Sequence, residues 1–158
     1  MEPGEFEHAY REHCDRVYRY CVFRTNSAAD AEDLAADVFV ALMNARRPPR
    51  PDYLLPWLYR VAQRKCATHH RRSLRNVSVA DVPDSPVESP ECWSDSATWQ
   101  ATAKLPATQQ LIIYLRVIEG RAFEEISELA GKRSGATKML YYRAMKSLRL
   151  SLSEEGAS

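Results

Sequence analysis

The sequence predicts an all-α protein built as two small helical domains on a flexible acidic linker. Apolar residues recur at three- and four-residue steps almost throughout, and strand-like alternation with hairpin turn signals is absent. Between the two helical regions, Val77 to Ser96 is rich in Ser, Pro and acids and has no periodicity. The expected boundaries are residues 1–75 for the first domain, 76–98 for the linker and 99–158 for the second domain.

Each element has its own signal. Tyr10, Cys14, Val17, Tyr18 and Cys21 form one stripe of a first helix, which Asn26-Ser27 interrupts. A second helix is expected from about Ala28 to Ala45, with acids at its start where the helix dipole favours them. Three prolines make Arg46 to Pro51 a loop, because proline removes a donor and clashes inside a helix. A third helix follows from about Leu54 to Arg72. In the second domain the pattern predicts helices over Thr108–Glu119, Phe123–Ala130 and Ser134–Leu150, with breaks at Gly120 and Gly131 and a frayed end from Glu154.

Composition narrows the function classes. The chain has 158 residues, 27% charged and 45% hydrophobic, as expected of a globular protein. The longest apolar run, Leu111 to Leu115, is too short to span a bilayer, and the N-terminus lacks the layout of a secretory signal, so a cytoplasmic protein is expected. Cys14, Cys21, Cys66 and Cys92 are scattered and read as reduced thiols. No phosphate-cradling glycine loop and no catalytic acid–base or nucleophile arrangement stands out, so neither an enzyme nor a cofactor is expected. Cys66, His69 and His70 form the only metal-like cluster, but His70 points about 100° away from His69, and no third and fourth ligands accompany Cys66 and His69, so no metal is expected.

Charge is unevenly distributed. The net charge is +1, yet residues 1–45 carry five more acids than bases and residues 46–75 carry eight more bases than acids. Residues 76–103 hold five acids and no base, and the remainder has three bases in excess. A basic block inside a near-neutral chain fits a polyanion on one surface, or a solvated basic helix.

The last helix divides cleanly. Thr137, Tyr141, Ala144 and Leu148 share one side and are expected to pack on Ile126 and Leu129. Ser134, Gly135, Lys138, Met139, Tyr142, Arg143, Lys146 and Arg149 lie at its start and along its other side. Preceded by a short helix and a Gly turn, this pattern predicts a helix-turn-helix whose outer face enters a major groove.

The third helix divides as well. At 100° per residue, Arg60, Arg64, Ala67 and Arg71 fall on one line, opposite Leu55, Leu58, Val61, Ala62 and Cys66. Trp57 and Thr68 border the basic line on one edge and Gln63 on the other, with Arg72 following. Arginines neutralise phosphates and aromatic rings stack on unpaired bases. The second helix is apolar on two sides, with Leu34, Val38, Ala41, Leu42 and Ala45 on one and Ala36, Phe39, Val40 and Met43 on the other. Asp30, Glu32, Asp33 and Asp37 flank the second stripe. Such a helix is either buried all round or docks on a partner.

These segments together resemble the extracytoplasmic-function (ECF) family of bacterial RNA polymerase sigma factors. In the second domain the resemblance rests on Leu105-Pro106, Gln109-Gln110-Leu111, Gly120 to Ile126, Gly135 to Lys138 and Arg143-Ala144. In the first it rests on Asp30 to Leu34 with Asp37-Val38-Phe39, and on Pro56 to Ala62 with Arg71-Arg72. The resemblance implies a factor that does no chemistry and directs promoter-specific initiation. Its second helix would grip the clamp coiled coil of the largest subunit of core RNA polymerase. Its third helix would read the melted −10 element, with the loop Ala45 to Tyr53 pocketing a flipped base. Its last helix would read the −35 element of promoter DNA. The linker would run through the polymerase active-site cleft, and an anti-sigma factor is an implied partner. The sequence departs from the family pattern at Ala36, Arg64, Thr68, Ala122, Lys132, Met139 and Leu140. The alternative is a free-standing helix-turn-helix regulator, which would use the last helix alike but need neither the acidic two-sided helix nor the features around Trp57.

Overall fold

The computed structural model describes residues 1–75 and 96–156, and among them every regular element is helical. The chain divides into two compact units, Met1–Val87 and Glu88–Ser158. The linker expected over 76–98 lies outside the described residues except for its last three, which belong to a helix.

The first unit contains α1 (Pro3–Thr25), α2 (Ala28–Met43) and α3 (Leu54–Arg75), each packed on the other two. Pro3 occupies the first turn of α1, where its missing donor costs nothing. The helix ends at Asn26 in the left-handed conformation, φ 54°. Two residues later α2 begins, its N-cap Ser27 accepting a hydrogen bond from the Asp30 amide at 3.2 Å. The proline-rich segment is irregular to Arg50, and Pro51–Tyr53 then forms one 3₁₀ turn that runs directly into α3. Pro56 sits in the first turn of α3, again where no intrahelical donor is lost.

The core of this unit is one stripe from each helix: Val17, Tyr20 and Cys21; Leu34, Val38 and Leu42; Leu58, Tyr59, Ala62 and Cys66. The Tyr20 and Tyr59 rings meet edge to face, centroids 5.7 Å apart. Burial pushes the Tyr20 hydroxyl above its ordinary range, and Arg24 donates to it at 2.6 Å.

In the second unit, α4 (Ser96–Ala103) begins three residues earlier than the expected domain start. It is followed by α5 (Ala107–Ile113), α6 (Phe123–Ala130) and α7 (Ser134–Gly156). The helix expected over Thr108–Glu119 is therefore not uniform: after Ile113 it widens into a π turn over Tyr114–Ile118. All five residues from Leu111 to Leu115 are buried, so this helix is covered on every side, as a central element must be. Gly120 and Gly131 end the two preceding segments at φ 67° and 68°, a conformation that costs glycine least. The last helix runs past the expected Leu150 to Gly156, and residues 157–158 of the end expected to fray lie outside the described residues.

Candidate functional site

Three surfaces carry the residues the sequence singles out. The first is the outer face of α3. Leu58, Tyr59, Ala62 and Cys66 anchor the helix, which leaves Arg60, Arg64, Arg71 and Arg72 in solvent. Trp57, Gln63 and Thr68 are half-buried along the edges, and Arg71 Nη2 lies 3.5 Å from Thr68 Oγ1. The ion pairs found among the described residues include none of these four arginines. The result is a row of like charges whose mutual repulsion a polyanion relieves. Sequence reasoning placed Tyr53 at the end of the loop Ala45 to Tyr53 without singling it out; it is 62% exposed four residues before Trp57. Its signal was an aromatic residue in an otherwise polar, proline-rich loop. Arg46, Arg47 and Arg50 are also exposed on that loop.

The second surface is a groove between α1 and α2, with a volume of about 700 Å³. Phe6, Tyr10, Cys14 and Tyr18 of α1 face Ala36, Phe39, Val40 and Met43 of α2, and Asp15 and Glu32 also line it. Val40 and Met43 are 50% and 60% exposed, so the outer apolar stripe of α2 is open to solvent. Phe39 is different: it is 3% exposed, wedged edge to face between Phe6 and Tyr10 with centroids 6.5 and 5.0 Å away. Leu34 is likewise core. Of the acids, Glu32, Asp33 and Asp37 are exposed, whereas Asp30 pairs with His69 Nε2 of α3 at 3.3 Å.

That pairing also bears on the metal-like cluster. His69 is turned to Asp30 and Cys66 to Cys21, and among the described residues no three metal-ligating side chains converge.

The third surface is α7. Thr137, Ala144 and Leu148 are buried, as is Ile126 of α6, with Tyr141 and Leu129 half-buried. Thr137 donates to the Arg133 carbonyl at 3.0 Å, and its Oγ1 lies 2.8 Å from Ser127 Oγ, which pins α7 to α6 across the turn. Opposite this stripe, Ser134, Gly135, Lys138, Met139, Tyr142, Arg143, Lys146 and Arg149 are exposed, Met139 and Tyr142 at 56% and 64%. A shallow depression of about 340 Å³ beside them is lined by Arg116, Phe123, Tyr141, Tyr142, Met145, Lys146 and Arg149. Arg116 stacks on Phe123 at 4.3 Å and donates to the Arg121 carbonyl at 2.9 Å. It was missed, because a single arginine within the apolar stretch Ile112–Ile118 gives no local sign that it faces another helix. As expected, Ala122 opens α6 without a side-chain cap. Glu124 and Glu125 in the first turn partly offset this by facing the positive end of the dipole.

The arrangement offers two cationic helix faces and one apolar groove with acids along it.

Comparison with known proteins finds one family in both parts of the chain. Residues 9–76 match Sigma-70 region 2 and residues 96–148 match Sigma-70, region 4. The chain is 31% identical to ECF RNA polymerase sigma factor BldN of Streptomyces coelicolor, over 93% of its own length and 60% of that relative's. It is 31% identical to ECF RNA polymerase sigma factor SigD of Mycobacterium tuberculosis, over 84% of its own length and 70% of that protein. It is 32% identical to ECF RNA polymerase sigma factor ShbA of Streptomyces griseus, covering 83% and 78%. Among solved structures, the fold is similar to the sigma factor RpoE crystallised with the anti-sigma factor NepR from Bartonella quintana. The TM-score is 0.59 at 17% identity, over 94% of this chain and 97% of that one. Helical architecture, motif order and these likenesses converge: the chain belongs to the ECF family of RNA polymerase sigma factors.

Proposed function

We propose that this chain binds core RNA polymerase and directs promoter-specific transcription initiation in the cytoplasm, with a separate surface for each task. The groove between α1 and α2, with Glu32, Asp33 and Asp37 beside it, receives a polymerase helix. Exposed Val40 and Met43 supply apolar contact, and the acids supply attraction to a basic flank. Asp30 contributes less directly, since His69 holds it, and Leu34 and Phe39 act by shaping the groove from beneath.

The outer face of α3 holds the −10 strand once it is single. Arg60, Arg64, Arg71 and Arg72 meet phosphates, while Trp57, with Gln63 and Thr68 at the edges, meets bases. We add Tyr53 to this set, because an exposed ring one turn before Trp57 offers a second stacking platform. The outer face of α7 enters the major groove at the −35 element. Lys138, Arg143 and Lys146 engage phosphate or base edges, and Met139 and Tyr142 supply apolar contact. Arg116 extends the phosphate-binding edge. An anti-sigma factor would compete for one or more of these surfaces, which fits the partner seen with the solved relative.

The observation that carries this reading is the exposed row of arginines on α3, without carboxylate partners among the described residues, beside half-buried Trp57. A free-standing regulator needs only α7; it leaves the α3 face and the open α2 stripe without a use. The interface is tested by pull-down with purified core polymerase. The wild-type chain is expected to be retained, and Asp33→Ala/Asp37→Ala/Met43→Ala to lose most of that binding while keeping its helical content. Equal retention of both would remove the groove from the interface.

A further inference from the structure

Cys21 of α1 and Cys66 of α3 meet in the core of the first unit, 45 residues apart in sequence, with their sulfurs 3.9 Å from each other. Their residues are 0% and 2% exposed. The two groups share a hydrogen bond and are not equivalent. The hydrogen bond shared with Cys21 holds the Cys66 thiol below its ordinary range against the opposing effect of burial, and the Arg24 guanidinium adds to the lowering. The same hydrogen bond, together with burial, pushes Cys21 well up. Two thiols in contact are placed to react with one another once either is ionised and oxidised. A disulfide is about 2.05 Å long, so the sulfurs need to approach by roughly 2 Å, which side-chain rotation and a slight closing of the two helices can supply.

We propose that Cys21 and Cys66 form an oxidant-sensitive dithiol, a modification site that closes to a disulfide and pins α3 against α1. The site goes beyond the promoter reading and does not depend on it. With hydrogen peroxide as oxidant, the Cys66 thiolate attacks one peroxide oxygen and the O–O bond breaks. Cys66 becomes a sulfenic acid and hydroxide leaves, taking up the proton that Cys66 had released to give the first water. The Cys21 sulfur then attacks the Cys66 sulfur and the S–O bond breaks. The departing hydroxyl leaves as the second water with the Cys21 proton. Two thiols lose two electrons and two protons, and one peroxide is reduced to two waters. Since neither sulfur is at the surface, oxidant enters when α3 lifts locally from α1, and the reaction is correspondingly slow. Cys66 lies on the side of α3 away from Arg60, Arg64 and Arg71, so the bond would fix the helix from behind while leaving its cationic face in solvent.

The test uses the full chain carrying Cys14→Ser and Cys92→Ser, so that only the two thiols in question remain. It is treated with hydrogen peroxide and analysed by intact mass, peptide mapping and thermal melting. The expected result is a loss of about 2 Da, a peptide pair joined through residues 21 and 66, and reversal by dithiothreitol. The first unit should also melt about 10 °C higher while oxidised. The untreated-cysteine background, the wild-type chain, should yield the same joined peptide. A further Cys21→Ala change should abolish the mass loss; if that variant lacks helical content, Cys66→Ala serves in its place. An unchanged mass, a gain of oxygen without a joined peptide, or a joined peptide with no rise in melting temperature would overturn the proposal.

Discussion

Two helices of this protein present cations to solvent, yet α3 and α7 are built differently. The buried residues of α3 include Leu58, Tyr59, Ala62 and Cys66, packed against both other helices of its unit. Its arginines stand in a row edged by Trp57, Gln63 and Thr68. The buried stripe of α7 is thinner, with Thr137, Ala144 and Leu148, and it is fixed at its start by the Thr137–Ser127 hydroxyl contact. Its outer face mixes cations with the exposed apolar side chains Met139 and Tyr142. A firmly seated helix with charge and rings at its edges suits an irregular single strand, where stacking and phosphate contact dominate. A helix seated on its unit along one stripe, with a mixed outer face, suits a groove that displays base edges and methyl groups.

The largest expected effect breaks the comparison at its root. Leu58→Ala removes a fully buried side chain from the α3 anchor and should destabilise the first unit by about 3 kcal/mol. Unit-resolved hydrogen exchange should register this loss in α1 to α3 and leave α5 to α7 unchanged. Next, replacing cations separates the two faces. Lys138→Ala/Arg143→Ala should weaken binding to −35 duplex about tenfold or more, while sparing capture of a template already melted at −10. Measuring holoenzyme affinity on duplex and pre-melted templates checks this, and equal losses on both would merge the two roles.

Smaller changes sharpen the contrast within the second unit. Ala122→Ser supplies the missing cap of α6 and should stabilise that unit by about 1 kcal/mol, read as a rise in its melting temperature. The smallest effect is a pH dependence in the first unit. Burial lowers the His13 pKa below its ordinary 6.5, and its Nδ1 is buried without a hydrogen-bond partner among the described residues. The folded state therefore favours neutral imidazole. As pH falls through 6.5 the unfolded chain takes up a proton that the folded one resists, so stability declines below that pH and is unaffected above it. His13→Gln should flatten this decline in a melting series from neutral to acidic pH.

Much of this fold was legible in the sequence because helix periodicity and breakers are local. The prolines from Pro48 to Pro51, the glycines at 120 and 131, and the Thr137, Ala144, Leu148 stripe each announce themselves within a few residues. What was not legible depends on which helix lies opposite. Phe39 falls on the outer stripe of α2 by angle, yet Phe6 and Tyr10 of α1 close over it and make it core. Asp30 reads as a free acid until His69, 39 residues later, is placed beside it. Cys21 and Cys66 read as scattered thiols until α1 and α3 pack. Arg116 meets Phe123 only through packing, and nothing in its immediate sequence separates it from an ordinary helix residue. Periodicity reports which residues of one helix share a face, and a site built from two helices needs the packing as well.

The central claim is that the α3 face captures the −10 strand after polymerase has been engaged. It is tested most directly by promoter opening with holoenzyme carrying Arg60→Ala/Arg64→Ala, followed by fluorescence of a base analogue within the −10 element. The account predicts retention on core polymerase equal to wild type, with opening reduced at least tenfold at low salt and the deficit narrowing as salt rises. Opening at the wild-type rate, with polymerase binding intact, would contradict it.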